Sequence, residues 1–205
     1  MASIALFHSV LGVRLVCRTA PPGCAGSGTT CSWSTSTAAG SSTTTPRRPH
    51  TRSVGFPALM QAALDATADL PDGFVVAGFS NGAGRAEHVA LHRPVAAAVL
   101  LSGALPLPFL GADAWPAAVP VQLHYAMSDP HRNQDWVDQF LAAVRQSGAG
   151  AEFHEYAGAG HLFTDTSLPQ EFDAQATEAL WTHVDDFLRK VPGPTHNGAS
   201  VSAST

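Results

Sequence analysis

Four strand-like runs alternating with four segments of helical spacing leave this chain few folds to choose from. GFVVAGFS (73–80), VAAAVLLSG (95–103), VPVQLHYAM (119–127) and AEFHEYAG (151–158) read as strands. PALMQAALDATADL (57–70), NGAGRAEHVALHR (81–93), NQDWVDQFLAAVRQSG (133–148) and FDAQATEALWTHVDDFLRKV (172–191) carry apolar residues at helical spacing. Continuous apolar strands suit a sheet covered on both sides. Strand–helix alternation implies parallel strands joined by right-handed crossovers. The predicted class is α/β, a mostly parallel sheet with helices on both faces. Pro57 and Pro71 bound the first helix, and Gly148 ends the third. Arg189 and Lys190 fall in the last turn of the fourth, where the helix dipole favours cations. At the front, ASIALFHSVLGV (2–13) adds a short buried strand running into a loop near Gly12.

The first 52 residues have a different texture. They carry five arginines and no acid, whereas residues 53–205 hold all 16 acids and six basic residues. The stretch from Leu15 to Arg52 contains nine threonines and six serines, with no sustained period. Such a stretch cannot offset an ordering entropy of about 1–2 kcal/mol per residue. The expectation is one α/β domain over residues 1–190, with 15–52 anomalous and disordered and a disordered tail over 191–205. A net charge of −5 argues against nucleic acid as a partner. No apolar run approaches the ~20 residues that span a bilayer, so no membrane partner is expected. Three cysteines do not make a disulfide scaffold, and a cytoplasmic protein is expected.

Chemistry enters at Gly78-Phe79-Ser80-Asn81-Gly82, a G-x-S-x-G sequence where a strand gives way to a helix. Flanking glycines permit a sharp turn that exposes the serine hydroxyl and aims the next backbone N–H, that of Asn81, at an oxyanion. The helix that starts there adds its positive dipole end. The alternative is a plain Gly/Ser turn. A serine nucleophile needs a base and an acid, each following a later strand in the order Ser, Asp or Glu, His. Asp129 follows the strand 119–127, and His161 follows 151–158. Strand C-termini of open α/β sheets share one rim, so the three can converge. His161 is then the base for Ser80, and Asp129 orients the imidazole, an effect worth about 10⁴ in turnover.

Rivals are weaker. Asp135 and Asp138 fall on the helix after Asp129 and are expected to cap or solvate it. His131 is near Asp129 in sequence, but no strand end presents it; His124 and His154 lie within strands. No i, i+4 pair occurs among His124, His154 and His161, and Cys17, Cys24 and Cys31 match no common zinc spacing. No metal and no cofactor is expected.

The opening ALFHSVLGV, the elbow AGFSNGAG, the acid in HYAMSDP and the histidine in YAGAGHLF together resemble the dienelactone hydrolase family of α/β-hydrolases. The resemblance covers residues 2–13 and about 54–190. It implies Ser80, Asp129 and His161 as nucleophile, acid and base, and a second oxyanion donor after the first strand, the Val10 backbone N–H. Three departures stand out. Ser80 replaces the cysteine nucleophile of the best-known members, which points to a general esterase or thioesterase. Ser9 stands where an acidic residue is frequent. Asp165 stands where an arginine binds the dienelactone carboxylate, so that substrate is not expected. The implied partner is a small ester, lactone or thioester.

Where a family member has a helix and a buried strand, this chain has residues 15–52. One reading is a reading-frame shift in a GC-rich gene, tested by translating the neighbouring frames. A targeting peptide is the rival, since acid-poor Ser- and Arg-rich N-termini serve that role. Two functions remain in view: a Ser-His-Asp hydrolase, or an inactive hydrolase-like binding protein or damaged gene product.

Overall fold

The structure is a computed structural model that describes residues 4–9 and 55–191. The segment 15–52, Val10 and the tail from residue 192 onward lie outside the described residues. The chain order is β1 (Ile4–Phe7), α1 (Phe56–Thr67), β2 (Phe74–Phe79), α2 (Asn81–His92), β3 (Val95–Leu101), β4 (Val121–Ala126), α3 (Gln134–Gln146), β5 (Ala151–Tyr156) and α4 (Ala174–Lys190). The strands form one sheet in the order β1-β2-β3-β4-β5, every pairing parallel. Each expected element is present, its ends shifted by a few residues: α1 begins at Phe56, one residue before the expected Pro57, and stops at Thr67.

Neighbouring residues along a strand face opposite ways, which sorts the sheet into two cores. Phe74, Val76, Leu100 and Leu123 pack with Ala63 of α1, Val89 of α2 and Phe140 and Val144 of α3. Val75, Phe79, Val99, Leu101 and Tyr156 face the other way, onto Leu180, Val184 and Phe187 of α4. β2 and β4 are buried along their whole length. β5, at one end of the described sheet, is half-exposed, which explains its polar sequence. α3 and α4 start from Asn133 and Asp173, whose side chains accept the Trp136 and Ala176 N–H groups as caps.

Between β3 and β4 a short 3₁₀ turn (Leu107–Leu110) closes at Gly111, whose φ of 72° suits glycine. Its prolines and lack of period hid it from sequence reading. Among the described residues, no helix is long and apolar enough to cross a membrane.

Candidate active site

Glycines let main chains pass at the elbow more closely than any side chain would permit. β2 ends at Phe79 and α2 begins at Asn81, so Ser80 alone reverses the chain. A Cβ on Gly78 would stand 2.1 Å from the Gly82 carbonyl oxygen, and one on Gly82 would stand 2.2 Å from that of Phe7. Ser80 is held at φ 54°, ψ −118°, a conformation that residues other than glycine rarely adopt. It occupies the N-cap position without making a capping hydrogen bond, so its hydroxyl is left for other partners.

The other two expected residues arrive from strands two and three places along the sheet. Asp129 lies three residues past β4, with Met127 N–H donating to Tyr156 O at 2.8 Å and Ser128 N–H to Gly158 O at 2.9 Å. Its side chain is fully buried. His161 lies past β5 in a loop pinned by Glu171, whose carboxylate accepts the Leu162 N–H at 2.7 Å. The imidazole Nδ1–H donates to Asp129 Oδ2 at 2.7 Å, and Nε2 accepts the Ser80 hydroxyl at 2.8 Å. Asp129 Oδ1 accepts the His131 N–H at 2.8 Å, so both carboxylate oxygens are held. This unbroken chain of hydrogen bonds has a buried acid at one end and a strained serine at the other. It can draw a proton from the hydroxyl and stabilise the resulting imidazolium.

Asn81 opens α2, so its N–H is one of the four without an intrahelical partner and lies at the positive end of the dipole. The expected second donor, Val10, lies outside the described residues. The strand leading towards it is clamped to α2: the buried Arg85 guanidinium donates to the His8 carbonyl and sits 5.5 Å over the Phe7 ring. Burial lowers the pKa of His8; its Nδ1–H bond to Ser9 O opposes that shift, and the Arg85 charge adds to it.

The rival carboxylates do other things. Asp135 sits in the first turn of α3, and Asp138 accepts from Gln134 at 2.7 Å. Asp165 is fully buried, its Oδ1 taking the Ser167 N–H and hydroxyl at 2.9 and 2.6 Å. His124 and His154 lie far along their strands, on the α4 face, in a network with Tyr156, Gln122 and Glu152. Among the described residues no three His, Cys, Asp or Glu side chains are grouped as a metal would require.

Sequence reading passed over three supports. The His131 ring meets the His161 ring edge to face at 4.7 Å. The D-x-H spacing, which closes a turn on the aspartate, was the available signal. Glu87 on α2 is fully buried and accepts the Leu105 N–H with both oxygens at 3.1 Å, tying α2 to the segment after β3. Burial raises its pKa well above the carboxylate range, against the effect of that bond. Ser102, the residue after β3, has a φ of 53°, and a Cβ on Gly103 beside it would lie 2.5 Å from Ser80 O.

The model of the dienelactone hydrolase family matches residues 35–191. The match begins inside the segment 15–52 and runs through the elbow, the acid and the histidine. No curated protein matches the chain by sequence. A dienelactone hydrolase-like promiscuous phosphotriesterase from metagenomic libraries superposes with a TM-score of 0.67 at 14% identity, covering 93% of this chain and 87% of that one. The mouse α/β hydrolase domain-containing protein 10 gives 0.68 at 14% identity, covering 92% and 90%. The Bacillus cereus carboxylesterase gives 0.60 at 14% identity, covering 90% and 88%. At these identities the likeness is one of fold, the α/β-hydrolase fold.

Proposed function

We infer that this chain, which belongs to the dienelactone hydrolase family, cleaves small carboxylic esters, lactones or thioesters through an acyl-enzyme on Ser80. Family membership makes it an ester-bond hydrolase. The observation that carries the finer reading is the relay from Ser80 Oγ through the His161 ring to Asp129, at 2.8 and 2.7 Å. As Oγ attacks the substrate carbonyl carbon, His161 Nε2 takes its proton. The Asn81 N–H faces the oxyanion, and such a donor is worth about 10²–10³ in turnover. His161 then returns the proton to the departing alkoxide or thiolate, leaving Ser80 acylated. Water attacks that ester with His161 again as base; the bond from the acyl carbon to Ser80 Oγ then breaks, His161 returns the proton to Oγ, and the acid leaves. Asp129 keeps the Nδ1–H tautomer throughout.

The resemblance to the family also bears on the substrate range. Asp165, the position that would need a cation for a carboxylate-bearing lactone, is an inward-facing acceptor held by Ser167. Uncharged acyl groups therefore suit the site better than anionic ones. The carboxylesterase and the phosphotriesterase named above share the fold, which accords with an ester substrate. A fluorophosphonate probe tests the nucleophile. Wild type is expected to label and Ser80→Ala not to; equal labelling of the two removes the assignment.

A further inference from the structure

Two hydrogen bonds tether the nitrogens of His161 to Asp129 and Ser80, at 2.7 and 2.8 Å, but they leave the ring free to tilt about the axis joining its two partners. What resists tilting is whatever packs against the ring. The His131 ring lies there, 4.7 Å away and inclined by 67°. This edge-to-face arrangement is one of the two that aromatic rings prefer. The same residue's N–H holds Asp129 Oδ1 at 2.8 Å. We propose that His131 is a positioning residue of the relay, its backbone steadying the acid and its exposed ring steadying the catalytic imidazole. The proposal rests on the Ser80–His161–Asp129 reading above.

The loop that carries His131 is itself anchored. Arg132 N–H donates to Asp129 O at 3.1 Å. The Arg132 side chain lies 5.5 Å over Tyr125 and 5.2 Å over Phe153 and donates to Glu155 at 2.7 Å. His131 therefore keeps its backbone place when its side chain is changed, and the ring's part can be read alone. A phenyl ring at this position preserves the packing without a nitrogen; a methyl group does not. A substrate contact would change KM, whereas a positioning contact changes the rate at which a bound ester reacts.

The test compares wild type, His131→Ala, His131→Phe and Ser80→Ala on p-nitrophenyl acetate, with melting temperatures alongside. At an exposed site both His131 variants should melt within about 2 °C of wild type. For His131→Ala kcat should fall roughly ten-fold, less than the ~100-fold that a 1 Å misplacement can cause. KM should stay within about two-fold, and His131→Phe should recover most of the loss. An alanine variant with unchanged kcat overturns the proposal, as does a change in KM alone. If alanine and phenylalanine lose activity equally, ring packing is not the cause and the proposal also falls. Should the alanine variant fail to fold, the phenylalanine variant decides: activity near wild type supports the proposal, and a ten-fold loss overturns it. If Ser80→Ala keeps full activity, the relay itself is wrong, whatever the His131 variants do.

Discussion

A serine after a strand can bond to many groups; what distinguishes Ser80 is a strained backbone that presents its side chain to His161. The φ of 54° and the two close glycine passages set that backbone before any substrate binds. Gly82→Ala should therefore be severe. Its Cβ would meet main-chain carbonyls of Phe7 and His8, which cannot swing aside as a side chain can. A loss of at least about 3 kcal/mol in urea unfolding is expected, at or beyond the upper end for ordinary overpacking; a loss under 1 kcal/mol would show that β1 yields. At the acid, Asp129→Asn keeps the shape but favours the wrong imidazole tautomer. Turnover should fall by about 10⁴ with KM little changed. A fall below ten-fold would mean that Asp129 does not orient His161.

At the scale of elements, α4 meets the sheet through a polar network as well as apolar contacts. His183 Nδ1–H donates to the Tyr156 hydroxyl at 3.1 Å, and that hydroxyl donates to His124 Nδ1 at 2.8 Å. His124 Nε2–H donates to Gln122 Oε1 at 2.9 Å, and Gln122 donates to Glu152 at 2.8 Å. The His154 ring stacks on His183 at 4.0 Å and on His124 at 5.2 Å, with Lys190 of α4 bonded to Glu152 beside them. In this arrangement His124 is neutral, its Nδ1 accepting from the tyrosine hydroxyl and its Nε2–H donating to Gln122. Burial first, then the His154 and His183 charges, hold His124 well below its ordinary pKa. Burial and His183 lower His154, against a raising influence from Glu152. Below about pH 6.5 the unfolded chain takes up protons that the folded chain refuses, so stability falls as pH falls. His8 and His88, lowered mainly by burial, act in the same direction, while Glu87, raised by burial, opposes them by taking up its proton first in the folded chain. Urea midpoints should be flat above about pH 7 and drop between about pH 6.5 and 5.5, less steeply in His154→Gln. A drop equally steep in His154→Gln would contradict the network.

These elements also show how far the sequence could be read. β2 and β3 were legible because their burial on both faces leaves continuous apolar runs, β4 because its apolar residues alternate with Gln122 and His124, and α3 and α4 because period, cap and stop agree. The G-x-S-x-G turn was legible because close backbone passage admits only glycine. The 3₁₀ turn was not, because a few residues between prolines have no period. The ring of His131, the histidine stack and the Glu87 brace depend on elements distant in sequence meeting at particular heights along the sheet. Register of that kind has no local signature.

For the whole molecule, the acidic body and the histidines set the solution behaviour. The sequence pI is about 6.0, close to where the α4 network begins to weaken. Net charge near zero removes the repulsion that keeps molecules apart, so turbidity on standing should peak near pH 6. A peak well above pH 7 would mean that charge does not control association. The larger-scale consequence of the fold is that four strands in one order bring a hydroxyl, an imidazole and a carboxylate from residues 80, 161 and 129 to one rim. The most direct check is to quench the protein in acid during turnover of p-nitrophenyl acetate and map the acetyl group by mass spectrometry. One acetyl on the peptide containing Ser80, absent from Ser80→Ala and from His161→Ala, is the expected result. An acetyl on another residue, or one that forms on Ser80 equally fast without His161, would contradict the relay.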